Sequence, residues 1–194
     1  NAGDINGDGF DDLIFSRYFE GMETSYSGPR FVVFGKAEGV PDKPVYFWEP
    51  EYASWGGTVS GAGDVNGDGI DDLIMGANSG YALGGAGVIE GGGFVVFGKT
   101  GDFSSMPLAD VDGNNGFLVT GAGVFVNNAG DVNGDGFADL LIGVALADPN
   151  GENSGSSYVV FGKASGFGAT INLSSLDSNM GVRLDGVAAN NRSG

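Results

Sequence analysis

The chain has 194 residues and a formal net charge of −17, from 25 acidic and 8 basic residues. That balance excludes a phosphate-backbone binder on electrostatic grounds, and the absence of Cys and His excludes Cys/His zinc sites, thiol chemistry and any triad with a His base. No run of 18 apolar residues exists, so no membrane-spanning helix is expected.

The elements read in chain order are short, apolar and β-rich. They are Leu13–Phe15, Phe31–Phe34, Val45–Trp48, Leu73–Met75, Phe94–Phe97, Phe117–Val119, Leu140–Ile142 and Tyr158–Phe161. Gly, Asn, Asp or Pro bounds most of them, which is strand punctuation. Gly supplies 39 residues without the every-third spacing of collagen, as many tight turns require. No Gly-free window carries an apolar helical period, so almost no helix is expected.

Two motifs recur in phase. Asp-x-Asn-Gly-Asp-Gly-x-x-Asp-Leu starts at Asp4, Asp64 and Asp131. About thirty residues further on come Phe31–Lys36, Phe94–Lys99 and Tyr158–Lys163, each ending Val-Val-Phe-Gly-Lys. A unit this small cannot bury a core alone and must stack on its neighbours. The chain therefore divides into repeat 1 (1–56, lacking most of its first strand), repeat 2 (57–123), repeat 3 (124–186) and the start of a further strand (187–194). In repeat 2 the expected strands are Thr58–Ala62 (A), Asp72–Ala77 (B), Gly93–Gly98 (C) and Gly116–Thr120 (D). In repeat 3 they are Phe125–Ala129, Asp139–Val144, Ser157–Gly162 and Gly181–Asp185. Strand C has no polar alternation, so both its faces should be covered. Four-stranded antiparallel units covered on both faces are the blades of a β-propeller; the rival, a β-solenoid, has shorter rungs. The start at Asn1, in mid-repeat, reads as a processed product or a piece of something longer.

The acidic motif has calcium-ligand spacing. Numbered from its first Asp, positions 1, 3, 5 and 9 offer side-chain oxygens: Asp4, Asn6, Asp8 and Asp12; Asp64, Asn66, Asp68 and Asp72; Asp131, Asn133, Asp135 and Asp139. Position 7 (Phe10, Ile70, Phe137) would lend its backbone carbonyl. Ca²⁺ takes six to eight oxygens at ~2.3–2.6 Å, which alternating ligands in a tight loop provide. Gly9, Gly69 and Gly136 at position 6 suit a turn with positive φ. Position 8 (Asp11, Asp71, Ala138) should face away from the ion. An EF-hand would need a Glu at position 12 and flanking helices; here position 12 is Phe15, Met75 and Ile142. Three bound ions would bring the net charge to about −11.

These paired motifs resemble FG-GAP repeats, which build the β-propeller of integrin α-subunits and many bacterial surface proteins. Phe34-Gly35, Phe97-Gly98 and Phe161-Gly162 match the "FG". Gly76-Ala77-Asn78 comes closest to the "GAP", whereas Phe15-Ser16-Arg17 and Gly143-Val144-Ala145 depart from it. The resemblance covers essentially the whole chain. It implies an all-β fold of propeller blades with a calcium-bound hairpin between strands A and B of each, three sites in all. The family usually closes seven blades; three repeats form an incomplete ring or one completed by an oligomer.

Other motifs carry less. Gly93–Thr100 satisfies the P-loop pattern formally, but its middle residues are a strand and no helix follows. The clustered carboxylates belong to the acidic loops, and the scattered Glu residues have no nucleophile–base partner, so no enzyme is expected. The B–C loops (Ser16–Pro29, Asn78–Gly92 with its flexible Gly-rich run, Ala145–Ser156) and the D–A links differ most between units, and variable loops on a repeated scaffold are where a protein or glycan ligand would bind. Tyr46, Phe47, Trp48, Tyr52 and Trp55 form an aromatic cluster in the first unit alone, either packing or an aromatic platform. Lys36, Lys99 and Lys163 stand where they could pair with loop acids for little gain. The expected function is an extracellular, calcium-held adhesion or ligand-binding scaffold. Alternatives are the non-catalytic propeller of a larger secreted enzyme, or an architectural repeat of a surface layer or filament. The ends would be met by further blades of a longer chain or by a homo-oligomer in which Val187–Gly194 lends a strand A to another copy.

Overall fold

The computed structural model describes residues 1–18, 27–39, 45–48, 58–77, 81–82, 88–89, 91–101, 110–121, 125–164 and 166–194. Among them the fold is all-β, with a 3-10 turn at Leu173–Ser175.

The first sheet holds β1 (Leu13–Tyr18), β2 (Ser27–Val33) and β3 (Val45–Trp48) in that order. The second runs β4 (Val59–Gly63), β5 (Asp72–Ala77), β8 (Gly92–Val96), β9 (Gly116–Thr120). The third runs β10 (Phe125–Gly130), β11 (Asp139–Val144), β12 (Ser156–Val160), β14 (Gly181–Asp185). All these neighbours pair antiparallel. They are propeller blades, and the three do not close a ring. Side chains of Tyr46, Phe47 and Trp48 on β3, and all of Tyr52 and Trp55, lie outside the described residues.

The side-chain period of two sorts each blade into two buried faces. Leu73, Met75, Phe94 and Val96 face the first blade, meeting Ala2, Ile5 and Val32. Ile74, Val95, Phe117 and Val119 face the third, meeting Val126, Leu140, Ile142, Tyr158 and Val160. This explains why strand C is apolar throughout: β8 is buried at every residue.

Three features differ from the sequence reading. The expected flexible segment Asn78–Gly92 contains a small hairpin, β6 (Tyr81–Ala82) with β7 (Val88–Ile89), because short apolar pairs flank its Gly-rich middle. Between strands C and D of the third repeat lies β13 (Thr170–Asn172), which crosses to the second sheet and pairs parallel with β9. The last residues, expected to approach a free strand, fold back on Asp148–Ser156. Asn190, Arg192 and Ser193 donate their N–H groups to the carbonyls of Glu152, Asn153 and Ser154 at 2.8, 3.0 and 3.0 Å.

Candidate functional site

The three acidic loops share one hydrogen-bond plan. At position 1, Asp4 Oδ1 accepts the Asp8 N–H at 3.0 Å and Oδ2 the Gly9 N–H at 2.8 Å. Asp64 and Asp131 repeat this and each accept a further N–H, from Gly67 and Gly134, at 2.7 Å. The carboxamide Oδ1 of Asn6, Asn66 and Asn133 accepts the N–H of position 5, while Nδ2 donates to that Asp's Oδ2 at 2.8–2.9 Å. Oδ1 of Asp8, Asp68 and Asp135 accepts the N–H of Phe10, Ile70 and Phe137. Position 6 is left-handed, at φ +91°, +87° and +94° in Gly9, Gly69 and Gly136. The turn therefore needs Gly there.

Position 9 behaves differently from the others. Asp12, Asp72 and Asp139 are fully buried. One carboxylate oxygen of each accepts the position 2 N–H of its own loop (Ile5, Val65, Val132, at 2.7–3.0 Å). The other accepts the N–H of the "FG" glycine (Gly35, Gly98, Gly162, at 2.8–3.0 Å). So this Asp ties the acidic loop to the end of strand C. The same glycine must lack a side chain, since a Cβ there would collide with the position 8 carbonyl of Asp11, Asp71 or Ala138. The spacing between the two motifs in the sequence is this tie seen in one dimension, and the repeated Gly was its only signal.

Burial pushes the Asp72 carboxyl up to about 7; the Gly98 and Val65 amides pull it down, and Asp68 and Asp64 raise it further. Asp12 is also raised, chiefly by burial. A cation in the loop would oppose both burial and repulsion.

The donor set of each loop suits a hard cation in type: three carboxylates, a carboxamide oxygen and a backbone carbonyl. Backbone amides use part of the carboxylates' acceptor capacity, and each carboxylate offers about four lone-pair sites. Among the described residues no three acidic side chains converge on one point as a finished cage. The Asn Nδ2, facing the position 5 carboxylate, fills space that converging oxygens would need. Arg183 Nε and Asp185 Oδ1 form an ion pair at 2.6 Å. Lys163 Nζ donates to the Gly166 carbonyl and sits over the Phe167 ring.

Successive loops are also stitched to each other. The Asp4 and Asp64 carbonyls accept the position 8 N–H of the next blade, from Asp71 at 3.3 Å and Ala138 at 2.9 Å. The Ile5 and Val65 carbonyls accept the N–H of Lys99 and Lys163 at 3.0 and 2.9 Å. Asp71, expected to point away from its own loop, accepts the Asp4 N–H with Oδ2 at 3.0 Å. Arg30, buried in the middle of β2, donates from Nη2 to the Gly76 carbonyl on β5 at 3.0 Å. Neither contact was readable from spacing alone.

Antiparallel blades, each carrying an acidic loop tied back to a Phe-Gly turn, define a class of propeller-forming repeats. The model of the FG-GAP repeat matches residues 55–89 and 118–160. The chain is an FG-GAP repeat protein related to the integrin α chains. It is 30% identical over 163 residues to integrin alpha ina-1 of Caenorhabditis elegans, an alignment covering 72% of this chain. To integrin alpha-5 of Xenopus laevis it is 26% identical over 157 residues, and to integrin alpha-PS5 of Drosophila melanogaster 29% over 155, each covering 76% of this chain. In every case the match spans 14% of the relative.

Proposed function

We propose that the chain is a calcium-held, non-catalytic propeller module that presents its variable loops to a protein or glycan ligand outside the cell. The observation that carries this reading is the threefold recurrence of one loop with the same four oxygen-bearing side chains and the same internal hydrogen bonds. Crowded carboxylates repel without a cation, and a backbone already turned by three left-handed glycines lowers the cost of closing around one. The ligands would be Asp4, Asn6, Asp8, Asp12 and the Phe10 carbonyl; Asp64, Asn66, Asp68, Asp72 and the Ile70 carbonyl; Asp131, Asn133, Asp135, Asp139 and the Phe137 carbonyl. Binding would turn the Asn Nδ2 away and draw position 5 inward. Calcium here is structural. It neutralises the acids and pins each A–B hairpin to the "FG" turn.

Extracellular calcium modules bind at ~10⁻⁴–10⁻³ M, which fits an extracellular setting. The relationship to integrin α chains supports adhesion or ligand binding as the role of the module, with the ligand met by the B–C loops and D–A links.

Calorimetric titration with CaCl₂ tests the metal reading. Three sites are expected, and Asp8→Ala, Asp68→Ala and Asp135→Ala should each remove one. Position 5 is exposed and its hydrogen bonds are local to the loop, so these variants should melt like the parent in EGTA. The absence of binding heat and of any melting shift in millimolar calcium would sink the proposal.

A further inference from the structure

We infer that the Asn-Gly step of the second and third acidic loops is a self-modifying site, at which the loop's own carboxylates promote loss of ammonia from Asn66 and Asn133. The chemistry needs only the chain and water. The Gly67 nitrogen adds to Asn66 Cγ and closes a five-membered imide. The bond from Cγ to Nδ2 breaks, and Nδ2 leaves as ammonia, carrying the proton that the Gly67 nitrogen gives up. Water then opens the imide at one carbonyl or the other, so position 3 becomes Asp or its β-linked isomer, isoaspartate.

Each reacting atom already has the contact that such a step requires. The nucleophile is the Gly67 nitrogen, whose N–H donates to Asp64 Oδ1 at 2.7 Å. The electrophile is Asn66 Cγ, and its carbonyl oxygen accepts the Asp68 N–H at 2.9 Å. A donor therefore faces the oxygen on which charge develops. The leaving nitrogen, Asn66 Nδ2, donates to Asp68 Oδ2 at 2.9 Å. One carboxylate stands at the nitrogen that must lose a proton and another at the nitrogen that must gain one. The third loop repeats all three contacts: Gly134 N–H on Asp131 Oδ1 at 2.7 Å, Asp135 N–H on Asn133 Oδ1 at 3.0 Å, and Asn133 Nδ2 on Asp135 Oδ2 at 2.8 Å.

The chain carries its own comparisons, because Asn-Gly also occurs at Asn6, Asn115 and Asn150. Nδ2 of Asn115 and of Asn150 donates to a backbone carbonyl, of Asp110 and Gly186, at 2.9 Å in each case. A carbonyl there neither takes up nor delivers a proton. In the first loop Asn6 keeps the contacts at its oxygen and at Nδ2, but the N–H groups held by Asp4 are those of Asp8 and Gly9. The expected order of rates is Asn66 and Asn133 first, Asn6 next, Asn115 and Asn150 last. The dipeptide alone would rank all five alike.

Timed incubation of the folded chain in EGTA at neutral pH, read by peptide mass mapping, tests this, with isoaspartate detected by an isoaspartyl methyltransferase. Amide loss at Asn66 and Asn133 should be at least about tenfold faster than at Asn115 and Asn150. In urea the five steps should converge. Asp68→Asn keeps the shape of the side chain but removes the carboxylate from the leaving nitrogen. It should slow Asn66 by about tenfold, while Asn133 in the same molecule keeps the parental rate and shows that the fold is retained. Equal rates at all five steps in the folded chain overturn the inference, and so does an Asn66 rate unchanged by Asp68→Asn. A calcium arm separates this inference from the proposed function. Millimolar calcium, by occupying the same oxygens, should slow Asn66 and Asn133 and leave Asn115 and Asn150 alone. Fast loss in EGTA that calcium does not slow would count against the calcium reading and uphold this one.

Discussion

The two ends of the blades obey different rules. At the acidic end the three loops are nearly the same in sequence, backbone and hydrogen bonds. At the B–C end they diverge: the second unit has the β6–β7 hairpin, while the third has a bridged turn in which the Asn153 N–H bonds Asp148 Oδ1 and the last residues of the chain pack. The acidic end is constrained because every loop meets its own turn and the "FG" glycine at once, and the first two also meet the next blade. The B–C loops share no such plan among the described residues.

The sharpest way to break this contrast is at position 9. Asp72→Ala would leave the buried N–H groups of Val65 and Gly98 without acceptors, at a cost of roughly 3–5 kcal/mol. A chemical denaturation midpoint unchanged by this substitution would show that the tie between loop and strand C carries no stability. Gly98→Ala comes next. Its Cβ would meet the Asp71 carbonyl, and overpacking of this kind costs about 1–3 kcal/mol. A thermal melt should show the loss, and calcium should not restore it.

The pH dependence sharpens the comparison further. In EGTA, Asp72 has a folded pKa near 7 against 3.8 when free. Its contribution to stability is therefore full below about 3.8 and is lost as pH rises through about 7, and Asp12 acts with the same sign. Asp112 and Asp185, both lowered by hydrogen bonds, act below 3.8 and in the opposite sense. In calcium the ligands must be ionised, so stability should rise with pH over the same range. Melting temperatures measured from about pH 4 to 7 should give slopes of opposite sign, and parallel slopes would break the link between Asp72 and the metal. The smallest effect is expected at the other end. Replacing 80–90 by a short Gly-Ser turn should change stability by less than about 1 kcal/mol, as read by urea denaturation, because β6 and β7 form a two-stranded sheet of their own.

What was legible in the sequence follows the same division. Strands B, C and D showed themselves because each is a short apolar run closed by Gly or Asp, and their positions in the second and third sheets agree with the expected ones within a residue or two. The acidic loop was legible by composition and spacing. Its second role was not, because a buried Asp that accepts two amides looks in sequence like one more calcium ligand. The reach of Arg30 to the next sheet was not legible, because a charge beside an apolar run gives no sign of a partner 46 residues away. β13 escaped for a related reason: three residues, Thr-Ile-Asn, carry no periodicity, and their partner lies in another repeat.

That crossing strand has a consequence for where such a chain can be cut or spliced. Thr170–Asn172 belongs by sequence to the third repeat and by hydrogen bonding to the second sheet, and Phe167, Ile171 and Leu173 around it fill the core shared by both. The unit of sequence duplication is thus not the unit of folding. A repeat lifted out at its motif boundaries would leave part of its neighbour's rim behind. Recombination that kept both partners whole would carry the chain between strands C and D along with the preceding blade, offset by half a repeat from the periodicity the motifs display.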